Sequence, residues 1–164
     1  MTSTSPLETK RKETEMTDTT TTNDLAQQNI ALLQRHLNAI NAWDFDAMRE
    51  ILHPDISLEL PFVVGDFPKV TKGFDAVMEF MQAVPAFAEA ENLHDFSIHA
   101  FADDPNELVA EYRSDMTLTN GRPYRNTYVV RATVRDGKLV RFREHFDSIA
   151  LLEALGGSVT LPES

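Results

Sequence analysis

Apolar residues recur at spacings of three and four from Ile30 onward. Ile30, Leu33, Leu37 and Ile40 make one stripe of an amphipathic helix, and Asn23 or Asp24 has the chemistry of an N-cap for it. Asp44 is suited to cap a second helix whose Phe45, Met48, Ile51 and Leu52 face one way, with Pro54 as its expected end. The period then changes: Ile56, Leu58 and Leu60 alternate with Asp55, Ser57 and Glu59, which predicts a strand. Pro61 to Lys72 reads as a loop. Gly73 opens a third helix carrying Phe74, Val77, Met78, Met81 and Val84 and ending near Pro85.

From Leu93 the chain reads as strands joined by turns. Phe96, Ile98 and Ala100 alternate up to the turn 103–106, and strands follow over Leu108 to Leu118, Tyr124 to Val134 and Lys138 to Phe146. Asp136-Gly137 is the strongest hairpin signal, because both positions of that turn need positive φ. Ser148 to Leu155 predicts a short closing helix stopped by Gly156-Gly157. Helices first and a meander afterwards give an α+β arrangement, a curved and largely antiparallel sheet wrapped around helices. Such a sheet leaves a conical hollow, the usual place for a small ligand.

The chain has 164 residues, one domain's worth, with 42% hydrophobic and 25% charged residues. The expected domain is 23–157. Residues 1–22, rich in Thr, Ser, Glu and Lys, are expected to be a flexible tail, and 158–164 a second one. Met16, ahead of a Thr-rich run, is an alternative initiator. Fifteen Lys and Arg against 26 Asp and Glu leave a formal charge of -11, which argues against nucleic acid or an anionic membrane as a partner. With no cysteine, disulfides, thiolate nucleophiles and Cys-ligated metals are excluded. There is no secretory or membrane-spanning apolar run, so a cytoplasmic location is the expectation.

The last strand carries the most chemistry. Val140, Phe142, Glu144 and Phe146 share the parity that faces the interior, whereas Arg141, Arg143 and His145 share the other. Glu144 is thus a carboxylate on an apolar face, where desolvation would raise its pKa toward neutrality. The plainer alternative is an acid at the sheet's end paired with an Arg. On the preceding strand Asn126, Tyr128, Val130, Ala132 and Val134 look inward, an amide and a phenol able to orient water or substrate. A buried Tyr bonded to a backbone carbonyl explains Tyr128 equally well. On the strand from Leu108, periodicity puts Glu111, Arg113 and Asp115 on the solvated or subunit-facing side. The five histidines show no metal-binding spacing, and no phosphate loop or nucleophile elbow is present, so no cofactor is expected.

The stretches Gly121-Arg-Pro-Tyr-Arg-Asn-Thr-Tyr-Val-Val, Arg135-Asp-Gly-Lys-Leu and Arg143-Glu-His-Phe-Asp147 resemble the SnoaL-like branch of the nuclear transport factor 2-like superfamily. The resemblance covers most of Asp24 to Gly157. It implies a cystatin-like cone fold and commonly a homodimer formed through the sheet. Two relatives compete. In limonene epoxide hydrolases an Arg-x-Asp and an acid near the end of the last strand are catalytic. By that resemblance Glu144 would activate water, Asp115 would protonate the epoxide and Arg113 would bridge them. That family's water-positioning Tyr and Asn fall here on Ser57 and Glu59. The phenazine-biosynthesis A/B family also implies an acid/base role for Glu144, although its His and Ser fall on Phe80 and Val84.

The expected function is a cofactor-free acid/base enzyme (hydrolase, isomerase or cyclase) acting on a small apolar metabolite. Its catalytic residues would be Glu144, Asp115 and Arg113, with Tyr128, Asn126, Glu59, Phe142 and Phe80 around the substrate. The rival expectation is a binding or dimerisation module whose hollow is plugged by Phe62, Phe67, Phe80, Phe87, Met78 and Met81. A hollow below roughly 300 Å³ favours that rival.

Overall fold

The computed structural model describes residues 6–160, with side chains from residue 21 onward. Helix α1 (Pro6–Ala42) starts well before the predicted cap, so Asn23 and Asp24 lie inside it. No Gly or Pro interrupts the chain between Leu7 and Ala42, and Pro is well suited to the first position of a helix. The expected tail 1–22 is therefore helical from Pro6, and its first five residues lie outside the described ones. Of the C-terminal stretch 158–164, only 158–160 are described.

Leu33 and Leu37 are fully buried, and Ile40 nearly so. Two asparagines fasten α1 to the sheet. Asn41 both accepts from the Leu93 N–H at 2.7 Å and donates to the Leu93 carbonyl at 2.8 Å, and Asn29 donates to the Pro105 carbonyl at 2.9 Å. Asp44 caps α2 (Phe45–Ile51) as expected, accepting from the Ala47 N–H.

Strand β1 (Leu52–Glu59) follows α2 directly, two residues before the predicted boundary. Pro54 therefore lies in a strand, tolerated because the pairing with the last strand shifts register between Leu52 and Ser57. The segment predicted as a loop contains β2 (Val70–Lys72), which pairs antiparallel with Ser57 to Glu59. Helix α3 (Phe74–Ala83) begins after Gly73, whose φ of 89° suits glycine, and a 3₁₀ turn continues over Val84–Ala86. Then come β3 (Leu93–Ala100), β4 (Glu107–Thr117), β5 (Pro123–Arg135), β6 (Lys138–Phe146) and α4 (Ser148–Ala154). Asp136 and Gly137 have φ of 53° and 70°, as the tight β5–β6 turn demands.

The six strands form one sheet in the order β2-β1-β6-β5-β4-β3, antiparallel except for the β1–β6 pair. Helices α1 and α3 pack on its inner face, giving the α+β cone expected. One local feature decides which residues of β6 look into it. Leu139 pairs with Val134 and Arg141 with Thr133, so Val140 is an extra residue at a bulge. Leu139 replaces Val140 on the inner face, and beyond the bulge Phe142, Glu144 and Phe146 face inward.

Leu37, with no exposed surface, packs in the core away from the hollow. Leu37→Ala is expected to lower unfolding stability by about 2–5 kcal/mol, read as a fall in urea midpoint at constant slope.

Candidate active site

Inside the cone lies a hollow of about 210 Å³, walled by α1, α3, α4 and by residues of β1, β3, β4, β5 and β6. Among the described residues its lining is apolar apart from Glu144 of β6, Glu91, His36 of α1 and the phenols of Tyr124 and Tyr128, with no Lys or Arg. Phe80 and Phe142 line it as expected, as do Phe67, Phe87 and Met81. The other two proposed plugs do not. Phe62 is 58% exposed and packs against His145, and Met78 is buried in the core outside the lining. The volume is below the roughly 300 Å³ at which ordinary ligand pockets begin, so only a compact molecule fits.

Glu144 is held by a hydrogen bond from the Tyr112 hydroxyl to its Oε2. Burial outweighs that bond and pushes the carboxyl up to about 7. Tyr112 is itself fully buried, stacked on Tyr128 at 4.9 Å, and both phenols are driven well above their ordinary value by burial, so they remain neutral donors. Tyr128 in turn donates to Tyr124 at 3.1 Å and shares a hydrogen bond of the same length with Ser114. A chain of phenols thus backs the carboxylate.

Glu91 was not anticipated. It sits in the segment between the 3₁₀ turn and β3, which is pinned to the end of β4 by the Glu89 N–H on the Thr117 carbonyl and the Asp115 N–H on the Asn92 carbonyl. Its carboxyl lines the hollow, forms no hydrogen bond or ion pair among the described residues, and is pushed up to about 7 by burial and then by the charge of Glu144. No periodic signal marks an acid in such a loop. Tyr112 was legible only as an inward position on β4, and His36 only as a polar residue between Leu33 and Ile40.

Several expected site residues lie elsewhere. Arg113 and Asp115 are on the outer face of β4, as alternation predicts and contrary to the epoxide-hydrolase resemblance. There Asp115 pairs with Arg125 at 3.0 Å and Arg113 with Asp95 at 3.7 Å. Ser114 is the inward residue between them. Glu59 is also on the outer face, because Leu58 and Leu60 take the inward positions of β1. It is gripped by Arg141 at 2.9 and 3.1 Å and by Arg143, which hold its carboxyl below the usual range. Asn126 is buried but does not line the hollow. Its Nδ2 donates to the Tyr124 hydroxyl and the Asp147 carbonyl, and its Oδ1 accepts from the Thr127 and Asp147 N–H groups. Every hydrogen-bonding position of that amide is committed to the fold.

Among the described residues no cluster of three His, Cys, Asp or Glu has the geometry of a metal site, and no helix is long and apolar enough to cross a membrane.

The SnoaL-like domain family model matches residues 33–142, so the chain belongs to the SnoaL-like domain family. The chain is 27% identical over 116 residues to the uncharacterized protein YesE of Bacillus subtilis, covering 70% of this chain and 78% of that one. A proposed isomerase from Bacillus subtilis superposes with a TM-score of 0.73 at 23% identity, covering 80% of this chain and 95% of its own. A phenazine biosynthesis-related protein from Pseudomonas aeruginosa gives 0.71 at 20% identity, over 87% and 94%. Both likenesses establish the cone fold, and the second accords with the phenazine-family resemblance read from the sequence.

The two raised acids carry a stability signature. Between about pH 4.5 and 7 the folded chain holds protons that the unfolded chain has released, so each acid makes stability fall as pH rises. His36 opposes this from about 4 to 6.5, because burial keeps it neutral in the fold. The double variant Glu91→Gln/Glu144→Gln is expected to gain urea midpoint over the wild type progressively from about pH 5 to 8. Parallel pH profiles for the two proteins would contradict it.

Proposed function

We propose that this protein is an acid–base catalyst that moves a proton on a compact, largely apolar metabolite, with isomerisation or cyclisation as the reaction. Two carboxyls poised near neutrality in one apolar hollow that no Lys or Arg lines among the described residues carry this reading. Ionising both would set like charges against each other in a poorly solvated space, so near pH 7 one proton is held between them. Glu144 as carboxylate takes a proton from a carbon activated by a neighbouring carbonyl. Glu91 as carboxyl returns a proton at a second position, and the shifted double bond leaves the composition of the substrate unchanged. In a cyclisation the same carbanion attacks a second carbonyl, whose oxygen takes the proton from Glu91. A pKa near the working pH is where such a base is most effective. Tyr112 keeps the Glu144 carboxylate oriented.

Hydrolysis in the limonene-epoxide-hydrolase manner is not part of this proposal, because Arg113 and Asp115 are outside the hollow. A non-catalytic binding module is the second reading, and the modest volume of the hollow favours it. The outer sheet face, where Val129 is 40% exposed among charged neighbours, is the surface through which a homodimer would form.

The deciding experiment is a thermal-shift screen of small uncharged metabolites, followed by turnover of the stabilising ones. A ligand at about 100 times its Kd adds roughly 2.7 kcal/mol. Glu144→Gln is expected to lower turnover about 10²–10⁴-fold while leaving the stabilisation in place. Stabilising ligands that are never turned over by the wild type would establish the binding-module reading.

A further inference from the structure

With one proton held between Glu91 and Glu144 near pH 7, the hollow carries a negative charge that nothing in its wall answers. Glu91 has no hydrogen bond or ion pair among the described residues. The Glu144 carboxyl has one, from Tyr112 to Oε2, which leaves Oε1 open. The two acids share one neighbourhood: the charge of Glu144 acts on Glu91, and both act on Tyr112 and Tyr124. A further acceptor belongs to the same wall. His36 is 4% exposed and lines the hollow; its Nδ1 is sealed, whereas its Nε2 is unsealed and equally without a partner among the described residues. Polar groups left open in a cavity wall point to a ligand that satisfies them.

The chemistry of the wall selects among ligands. An anion is repelled by the acids and meets no Lys or Arg among the described residues. A hard metal cation takes six or more oxygen ligands, and among the described residues no three His, Cys, Asp or Glu are grouped to hold one. An uncharged guest leaves the charge unanswered. A primary ammonium brings one positive charge and three N–H donors. Among the described residues the wall also holds the rings of Phe67, Phe80, Phe87, Phe142 and Phe146, whose faces attract a cation and whose surface an attached hydrocarbon covers.

We propose that the hollow is a binding site for compact lipophilic primary amines, with the ammonium paired to the Glu91 and Glu144 carboxylates and the hydrocarbon body against the phenylalanine rings. This goes beyond the acid–base reading and stands without it. An ammonium that draws off the shared proton leaves no carboxyl to return one, so such an amine inhibits any turnover that the pair performs. Among the described residues, the other titratable groups facing the pair are His36 of α1, Tyr112 of β4, and Tyr124 and Tyr128 of β5. His36 stays uncharged above about pH 4 and the phenols stay neutral beyond pH 8, so between them only the two acids titrate. The linings from β1, α3 and α4 add none.

The probes are benzylamine and benzyl alcohol, alike in size and shape, titrated calorimetrically into the full chain from about pH 5.5 to 7.5. At the upper end the amine is expected to bind at least about tenfold more tightly, the worth of one charge-assisted hydrogen bond. The preference should grow by up to about tenfold per pH unit, because pairing releases a proton, and the measured heat should follow the ionisation enthalpy of the buffer. Glu91→Gln/Glu144→Gln should keep its affinity for benzyl alcohol, which shows the hollow intact, and lose the preference. A wild type that binds neither probe or both equally overturns the proposal. So does a preference unchanged across this pH range, or one that survives in the double variant, which would put the amine on the acidic surface. If the double variant loses both probes, the pH slope and buffer-dependent heat of the wild type decide the matter alone.

Discussion

A carboxyl group that enters an apolar cavity must either meet a cation or hold its proton to unusually high pH. Among the described residues the hollow is lined by two acids and no Lys or Arg, and the basic side chains of the neighbouring strands are engaged on the opposite face of the sheet. Arg141 and Arg143 flank Phe142, and Arg143 immediately precedes Glu144, yet both arginines reach outward to Glu59. Strand alternation alone separates those charges, because successive side chains stand on opposite faces. The same alternation that builds the core therefore deprives Glu144 of its nearest counter-ions. That deprivation gives the carboxyl its chemistry.

Around this pair the fold supplies order without charge. Tyr112 bonds to Glu144 and stacks on Tyr128, from which a hydrogen-bonded run passes through Tyr124 and Asn126 to the backbone at Asp147, where α4 begins. Ser114 joins it at Tyr128. Burial keeps the phenols neutral, so they orient the carboxylate without competing for its proton. Asn126 ties the run to the helix N-cap, linking the end of β6 to the element closing one side of the hollow.

Much of the architecture was legible from residues alone. The Asp136-Gly137 turn fixes the register of the last hairpin, and β6 begins and ends where its period predicts. Glu144 was found because a lone acid among Phe and Val is conspicuous in a period-two pattern. That inference survived a bulge at Val140, which changes parity on the far side of Phe142 only. Alternation also placed Arg113 and Asp115 correctly on the outside, where the epoxide-hydrolase resemblance would have brought them in. The same rule, applied to β1, puts Glu59 opposite Leu58 and away from the hollow. Glu91 lies where no period applies, in a segment shaped by backbone bonds to the end of β4. His36 looked like one more polar residue on a helix, and only the curvature of the sheet around α1 shows that it closes the hollow.

Desolvation is what lets Glu144 keep its proton to near neutrality. Infrared difference spectroscopy of the protonated-carboxyl stretch, comparing wild type with Glu144→Gln across pH, tests it directly. The wild type is expected to show a band, absent from the variant, that persists above pH 5 and fades at about pH 7. A band that has vanished by about pH 5, where ordinary glutamates are already ionised, would contradict it.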